Sequence, residues 1–313
     1  MSNKPAKRGR IFHTVTRFCP SALNSVRFVL LIAAACTITL GFYFTFKLER
    51  TIIVDAVTGA LEIELSSELS GKAFRNVWIC KRPAEAQIAA PQPPDGIGCP
   101  RRTHHLTGPV ALDTPVLPSG SFLKMTSLPN ALRIDVISVP ERYSGTDIGK
   151  MEGGAYIILG KNALANLGTL PLSGKIQIGS QFSETDRVSI SYGTFQIRGY
   201  TPVGLISRDM RELRTGVLQS GAHVRFINND GNTAGGHAAI TLAETEIESA
   251  LMRVTAISEP GTNDLAIRYY FTDEVKMRPS FLEAIIIDPL FQLLISIFGA
   301  IAGYGWLKRM LAL

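Results

Sequence analysis

AHVRFI–NNDGNTAGG–HAAITL, residues 222–242, sets two apolar, β-branched runs on either side of a turn-forming segment. Asp230-Gly231 lies near its centre, and glycine takes the positive φ of a tight turn at no steric cost. The spacing predicts a β-hairpin with strands over Ala222–Ile227 and His237–Leu242.

The same pattern recurs on both sides of this stretch. Candidate strands are Thr51–Val57, Leu61–Ser66, Arg75–Cys80, Phe122–Ser127, Arg133–Val139, Ala155–Leu159 and Lys175–Gly179. They continue with Arg187–Tyr192, Thr194–Tyr200, Leu251–Ser258 and Leu265–Thr272. Many short runs separated by Gly, Pro, Asn and Asp imply a mainly β, sandwich- or barrel-like region, not alternating βαβ units. Tyr192-Gly193-Thr194 reads either as the joint between two strands or as a bulge inside one long strand. SRDMRELR, at Ser207–Arg214, reads as a short, charged turn of surface helix.

Two apolar runs flank this β region. FVLLIAAACTITLGFYFTF occupies 28–46, and LFQLLISIFGAIAGYGWL occupies 290–307. Each approaches the roughly 20 apolar residues that an α-helix needs to cross a bilayer core. The first is longer than the 7–15 residues usual for a signal-peptide apolar region, and it ends in Phe and Tyr without a small-residue cleavage site. It therefore reads as an uncleaved anchor. The reading divides the chain into a basic tail (1–27), transmembrane helix 1 (28–46), a translocated β-rich region (47–279, one large domain or two smaller ones), a juxtamembrane helix (280–288), transmembrane helix 2 (289–307) and a short tail (308–313).

Charge follows the same division. The chain carries 32 Lys and Arg against 26 Asp and Glu. Six of those basic residues lie within 1–27 and two more are Lys308 and Arg309, which leaves 24 against all 26 acidic residues in between. The basic excess belongs to the membrane flanks, where Lys and Arg stay on the cytoplasmic side. This argues against nucleic acid as a partner. It implies a two-pass protein of a bacterial inner membrane, with both termini cytoplasmic and the β region periplasmic.

Local signals mark the second anchor. Ser280 and Glu283 have capping-box spacing, and Asp288-Pro289 reads as an N-cap followed by proline at the first helical position. Phe281, Leu282, Ile285 and Ile286 would then lie at the bilayer surface, unless 280–307 forms one helix kinked at the proline. Gly299 and Gly303 lie four apart, on one helix face, where small residues permit close packing of membrane helices or a homo-oligomer contact.

Cys80 and Cys99 bracket a Pro/Ala-rich loop at 83–100 and are the two cysteines of the translocated region. An oxidising compartment permits their disulfide. Cys19 and Cys36 lie in the tail and in the first apolar run.

No catalytic, cofactor or metal residues are assigned. Ser121 and Lys124 have S-x-x-K spacing, but their surroundings read as a strand, where positions three apart face opposite sides. His104-His105 reads as a polar loop, and no metal-ligand spacing or phosphate-binding glycine loop occurs. His223 and His237 could face each other across the hairpin as a structural pair. The expectation is a binding or assembly module, such as a scaffold, adaptor or sensor of an envelope complex, with the bilayer and envelope proteins or further copies as partners. The alternative is a membrane-anchored hydrolase of cell-wall material or peptides, whose residues converge from distant strands.

Overall fold

A computed structural model describes residues 49–69, 74–81, 99, 105–112, 117–143, 155–179, 189–201, 209–242, 251–270 and 272–311. The expected helix at 28–46, both tails up to residue 48 and beyond 311, and most of the 83–100 loop lie outside them. Within the described residues, fifteen antiparallel strands join one hydrogen-bonded sheet.

The strands are β1 (Arg50–Thr58), β2 (Ala60–Leu65), β3 (Phe74–Lys81), β4 (His105–Leu112), β5 (Phe122–Leu128), β6 (Ala131–Ser138), β7 (Ala155–Gly160) and β8 (Leu170–Ile178). They continue as β9 (Ile190–Tyr200), β10 (Met210–Leu218), β11 (His223–Ile227), β12 (Gly235–Leu242), β13 (Met252–Ser258), β14 (Asp264–Arg268) and β15 (Val275–Met277). The main path runs β10-β9-β1-β13-β12-β8-β2-β5-β6-β7-β3-β4, and β11, β14 and β15 branch from β8. The helices are α1 (Lys161–Leu167), α2 (Phe281–Ile287) and α3 (Pro289–Leu311).

One large core serves most of the sheet. Ile52, Val54, Leu61, Ile63, Leu123, Ile134, Ile157, Ile176, Phe226, Val254 and Leu265 belong to a single buried cluster. Their alternation with exposed neighbours is the period-2 signature of a sheet with one face packed inward. The chain changes partners at Gly59. Before it, β1 lies between β9 and β13; after it, β2 lies between β5 and β8. The bend is closed by Thr58 Oγ1 donating to the Ala60 carbonyl at 3.1 Å and by Ser127 N donating to the Gly59 carbonyl at 2.9 Å.

The 222–242 stretch corrects the simple hairpin. Its two strands scarcely pair: Ile227 bridges Thr233, and Ala234 N donates to the Phe226 carbonyl at 2.8 Å. Both instead line one edge of β8, with Val224 opposite Ile178 and Gly235 opposite Lys175. β11 is buried on both faces, and its two edges pair with β8 and β14.

One further expectation changes, and of the two readings of Tyr192-Gly193-Thr194 the single long strand is the one observed. SRDMRELR is not helical where it is described, because Met210–Leu218 forms β10 against β9. The register passes from Glu212↔Arg198 to Arg214↔Ile197, so Leu213 is an extra residue. That bulge turns Leu213 inward and hides the period-2 pattern. Tyr192-Gly193-Thr194 is continuous within β9, whose own bulge skips Ser191 opposite Val57 and Thr58.

Cys80 and Cys99 form a disulfide, with their Cα atoms 5.9 Å apart. Cys80 is buried with Ile158 and Ala131, under Trp78 and Leu106. This small cluster lies beside β4, the end strand of the main path.

Two measurements check this architecture. At Gly174 an added Cβ would lie 2.0 Å from the Glu64 carbonyl oxygen, across the β2–β8 pair. Gly174→Ala therefore lowers unfolding stability by about 1–3 kcal/mol or more, the usual cost of overpacking. Gly261→Ala, whose Cβ meets nothing closer than 3.7 Å, stays near the parent in the same melt. For the disulfide, denatured protein titrates two thiols before reduction and four after it, from the four cysteines of the chain. Cys99→Ser costs about 3 kcal/mol by loop-entropy reasoning.

Candidate functional site

The solvent face of the sheet carries a groove of about 450 Å³ across β1, β9 and β10. Strand register builds its floor. Val217, Thr194 and Asp55 form one row, and Thr215, Gln196 and Ile53 form the next. The rows continue onto β13 as Thr255 and Ile257. Gly216 holds the end strand close, since a Cβ there would lie 2.5 Å from the Phe195 ring, which packs beneath it.

Val217 is 70% exposed, and Tyr192 and Ile257 are exposed nearby on the same strands. Thr194, Thr215 and Gln196 add hydrogen-bonding groups. Asp55 is engaged by Arg253, whose Nε and Nη2 donate to its two oxygens at 3.0 and 2.5 Å. The lining combines an apolar strip with hydroxyls and an amide, and contains no His, Cys or Lys. Its one ionisable side chain is the Asp55 carboxylate, which is paired with Arg253.

The expected histidine pair separates. His237 stands on the exposed face of β12, with its Nδ1 2.6 Å from Ser173 Oγ on β8. A serine–histidine contact is where hydrolase chemistry starts, yet the ring lacks an orienting carboxylate among the described residues. His223 lies opposite Arg268 at the start of β11 and is buried, with its Nε2 unpartnered. Burial, followed by the positive charges of Arg225 and Arg268, lowers its pKa to about 4; Glu274 opposes this weakly. Glu274 is bound to Arg225 at 2.8 and 3.1 Å and is held below the usual carboxylate range, chiefly by that hydrogen bond.

Ser121 is buried just before β5, while Lys124 points to Glu62 on the outer face, 4.0 Å away. The two do not meet. Side chains of His104 and His105 lie outside the described set. Among the described residues no group of three or more His, Cys, Asp or Glu could hold a metal.

The segment from Phe281 to Leu311 is two helices, not one kinked helix. Ser280 Oγ accepts from Glu283 N at 3.2 Å, and Glu283 Oε2 accepts from Ser280 N at 2.8 Å. Ala284 and Ile285 are buried while Leu282 and Ile286 face outward, so Ile285 is not at an outer surface as expected. Asp288 separates α2 from α3: its N–H donates to the Ile285 carbonyl at 3.0 Å and its Oδ1 accepts from Phe291 N at 3.4 Å.

Along α3, Leu293, Leu294, Ile295, Ile297, Tyr304, Trp306, Leu307, Met310 and Leu311 are each at least 45% exposed. Gly299 and Gly303 are also exposed, with nothing within 4 Å of an added Cβ. Judged over the described residues, no helix is long and apolar enough to cross a membrane. Leu290, Phe298, Ile301 and Ala302, which complete the apolar run of α3, lie outside the described side chains.

No family model matches the chain, and no curated protein or solved structure does either. What the fold defines is a mainly β protein with one large antiparallel sheet and few helices.

The environment of His223 has a measurable consequence. A base whose folded pKa is lowered from 6.5 to about 4 binds fewer protons when folded than when unfolded across that interval. Stability is thus complete above pH 6.5 and falls as pH drops toward 4, by up to about 1.4 kcal/mol per pH unit. Melting temperature measured from pH 7 to 4 should show this loss, and His223→Gln should flatten it relative to the parent.

Proposed function

We propose that the chain is a two-pass inner-membrane protein that presents its β region in the periplasm as a binding or assembly module of an envelope complex. The observation that carries this reading is α3. Successive positions on an α-helix advance by about 100°. Exposed Leu293, Leu294, Ile295 and Ile297 therefore spread over roughly 200° of the circumference, and Trp306, Leu307 and Met310 fall in the remaining arc, beside exposed Gln292 and Ser296. A helix with so little polar surface suits lipid, while a surface helix of a soluble domain would keep a broad polar face. At 1.5 Å per residue its 23 residues extend about 35 Å, the scale of a hydrocarbon core.

Other features support the same placement. Tyr304 and Trp306 lie near Lys308-Arg309, the aromatic and basic pattern of a cytoplasmic interface. Outward-facing Leu282 and Ile286 on α2 suit the opposite interface. Open backbone at Gly299 and Gly303 suits close approach of another helix, from this chain or a second copy. The disulfide suits an oxidising compartment. The groove across β1, β9 and β10 supplies the binding surface, and its Asp55 carboxylate is held by Arg253.

The full-length protein in native membranes provides the test. It should stay in the membrane pellet after alkaline carbonate washing. Impermeant thiol reagent should reach a cysteine placed at exposed Lys175 from the periplasmic side, and one placed after Arg309 only once the membrane is opened. Leu294→Arg with Ile297→Arg should make the C-terminal position accessible from outside. Extraction by carbonate, or labelling of both positions from one side, would overturn the proposal.

A further inference from the structure

The first residue of β1 and the segment that enters α2 meet at one carboxylate. Arg50 opens β1, four residues after the first run ends at Phe46. Arg278 stands two residues before the Ser280 cap of α2. Arg50 Nη1 donates to Asp264 Oδ1 at 2.6 Å, and Arg278 Nε donates to Oδ2 at 3.0 Å and to Oδ1 at 3.3 Å. The Asp264 side chain is 6% exposed, that of Arg50 13% and that of Arg278 53%.

The contact is extended by neutral groups. Arg278 Nη2 donates to Asn229 Oδ1 at 2.8 Å, and Asn229 Nδ2 donates to Thr262 Oγ1 at 2.7 Å. Arg50 also pairs through its backbone with Gly261, at 2.6 and 3.2 Å. The first residues of β1 and β14, the turn between β11 and β12, and the segment entering α2 therefore share one network.

We infer that Asp264 is a clamp that couples the β region to both of its membrane connections, so that a displacement of the sheet reaches both segments together. The inference rests on the two-anchor reading proposed above. Its physical basis is that a buried carboxylate has lone pairs for both guanidinium groups and cannot easily release either. A brace for the sheet alone would need Arg50 only; Arg278 lies outside the strands and brings in the segment entering α2. Asp264 acts here as a positioning residue.

Pulsed electron–electron distance measurement tests the clamp in the full-length protein, reconstituted in lipid nanodiscs. Spin labels are attached at Glu49→Cys and Leu282→Cys, with Cys19 and Cys36 changed to Ser and the Cys80–Cys99 disulfide retained. The parent should give one narrow distribution, and Asp264→Asn and Arg278→Gln should each widen it at least twofold. Arg253→Gln, which breaks an exposed pair elsewhere on the sheet, should leave it unchanged.

Arg278 is half exposed, so Arg278→Gln decides the matter if Asp264→Asn fails to fold. A purely structural role would lower the melting temperature of Arg278→Gln without widening the distribution, and that result overturns the clamp. Carbonate washing of the same proteins separates the two proposals. Release of the parent from membranes overturns the anchors; retained anchoring with an unchanged width overturns the clamp alone.

Discussion

Strand β8 uses both of its edges, and the sheet depends on how they are shared. One edge carries β2 and leads to β5, β6, β7, β3 and β4. The other is divided between β12, which leads to β13, β1, β9 and β10, and β11, which leads to β14 and β15. Buried backbone N–H and C=O groups must find partners, so an edge in the core cannot be left open. Two strands running along the same edge require the chain between them to leave that edge and return. NNDGNTAGG makes this excursion, closed by Asn228 Oδ1 accepting from Asp230 N and Asn232 N at 3.0 and 2.9 Å. The excursion carries Asn229 to Arg278 and Thr262, so the topology of β8 places one member of the Asp264 network.

Much of this architecture was legible as local pattern. Runs such as Thr51–Val57 and Leu251–Ser258 alternate cleanly, and they became β1 and β13 with shifts of a residue at their ends. The misses have identifiable causes. β4 contains Gly108-Pro109, which reads as a break. Proline is tolerated there because β4 ends the main path and one side of its ladder needs no donor. At Gly108 a Cβ would lie 2.8 Å from the Val77 carbonyl oxygen. The first half of β8 was obscured in the same way by Pro171 and Gly174. β10 was obscured by its bulge, because one extra residue at Leu213 reverses the phase of the alternation.

The candidate surfaces were legible to different degrees. The Cys80–Cys99 pairing could be read because the two cysteines closely bracket one Pro/Ala-rich loop. Ser280-x-x-Glu283 could be read because both capping contacts lie within four residues. The groove could not, because its lining joins β1 to β9 and β10 across more than 130 residues of sequence. Neither could the separation of His223 from His237. That follows from the strands sharing the edge of β8. Arg50, Asp264 and Arg278 gave no sequence signal at all, because isolated charges at strand ends are ordinary and only the fold brings these three together.

From Arg278 to α3 the chain has few places to bend freely. Asp264 holds Arg278; Pro279 follows with a fixed φ; Ser280 and Glu283 satisfy each other's backbone at the start of α2. At the other end of α2, Asp288 donates to the Ile285 carbonyl, and its own carbonyl accepts from Gln292 N at 3.0 Å. Gln292 Nε2 then reaches back to the Ile286 carbonyl at 3.0 Å. Helix ends normally leave four donors or four acceptors without intrahelical partners, and flexibility enters where water serves them. Here side chains and adjacent backbone serve several of those groups across the elbow. These contacts brace the backbone on both sides of α2, in a series that begins at Asp264 in the sheet.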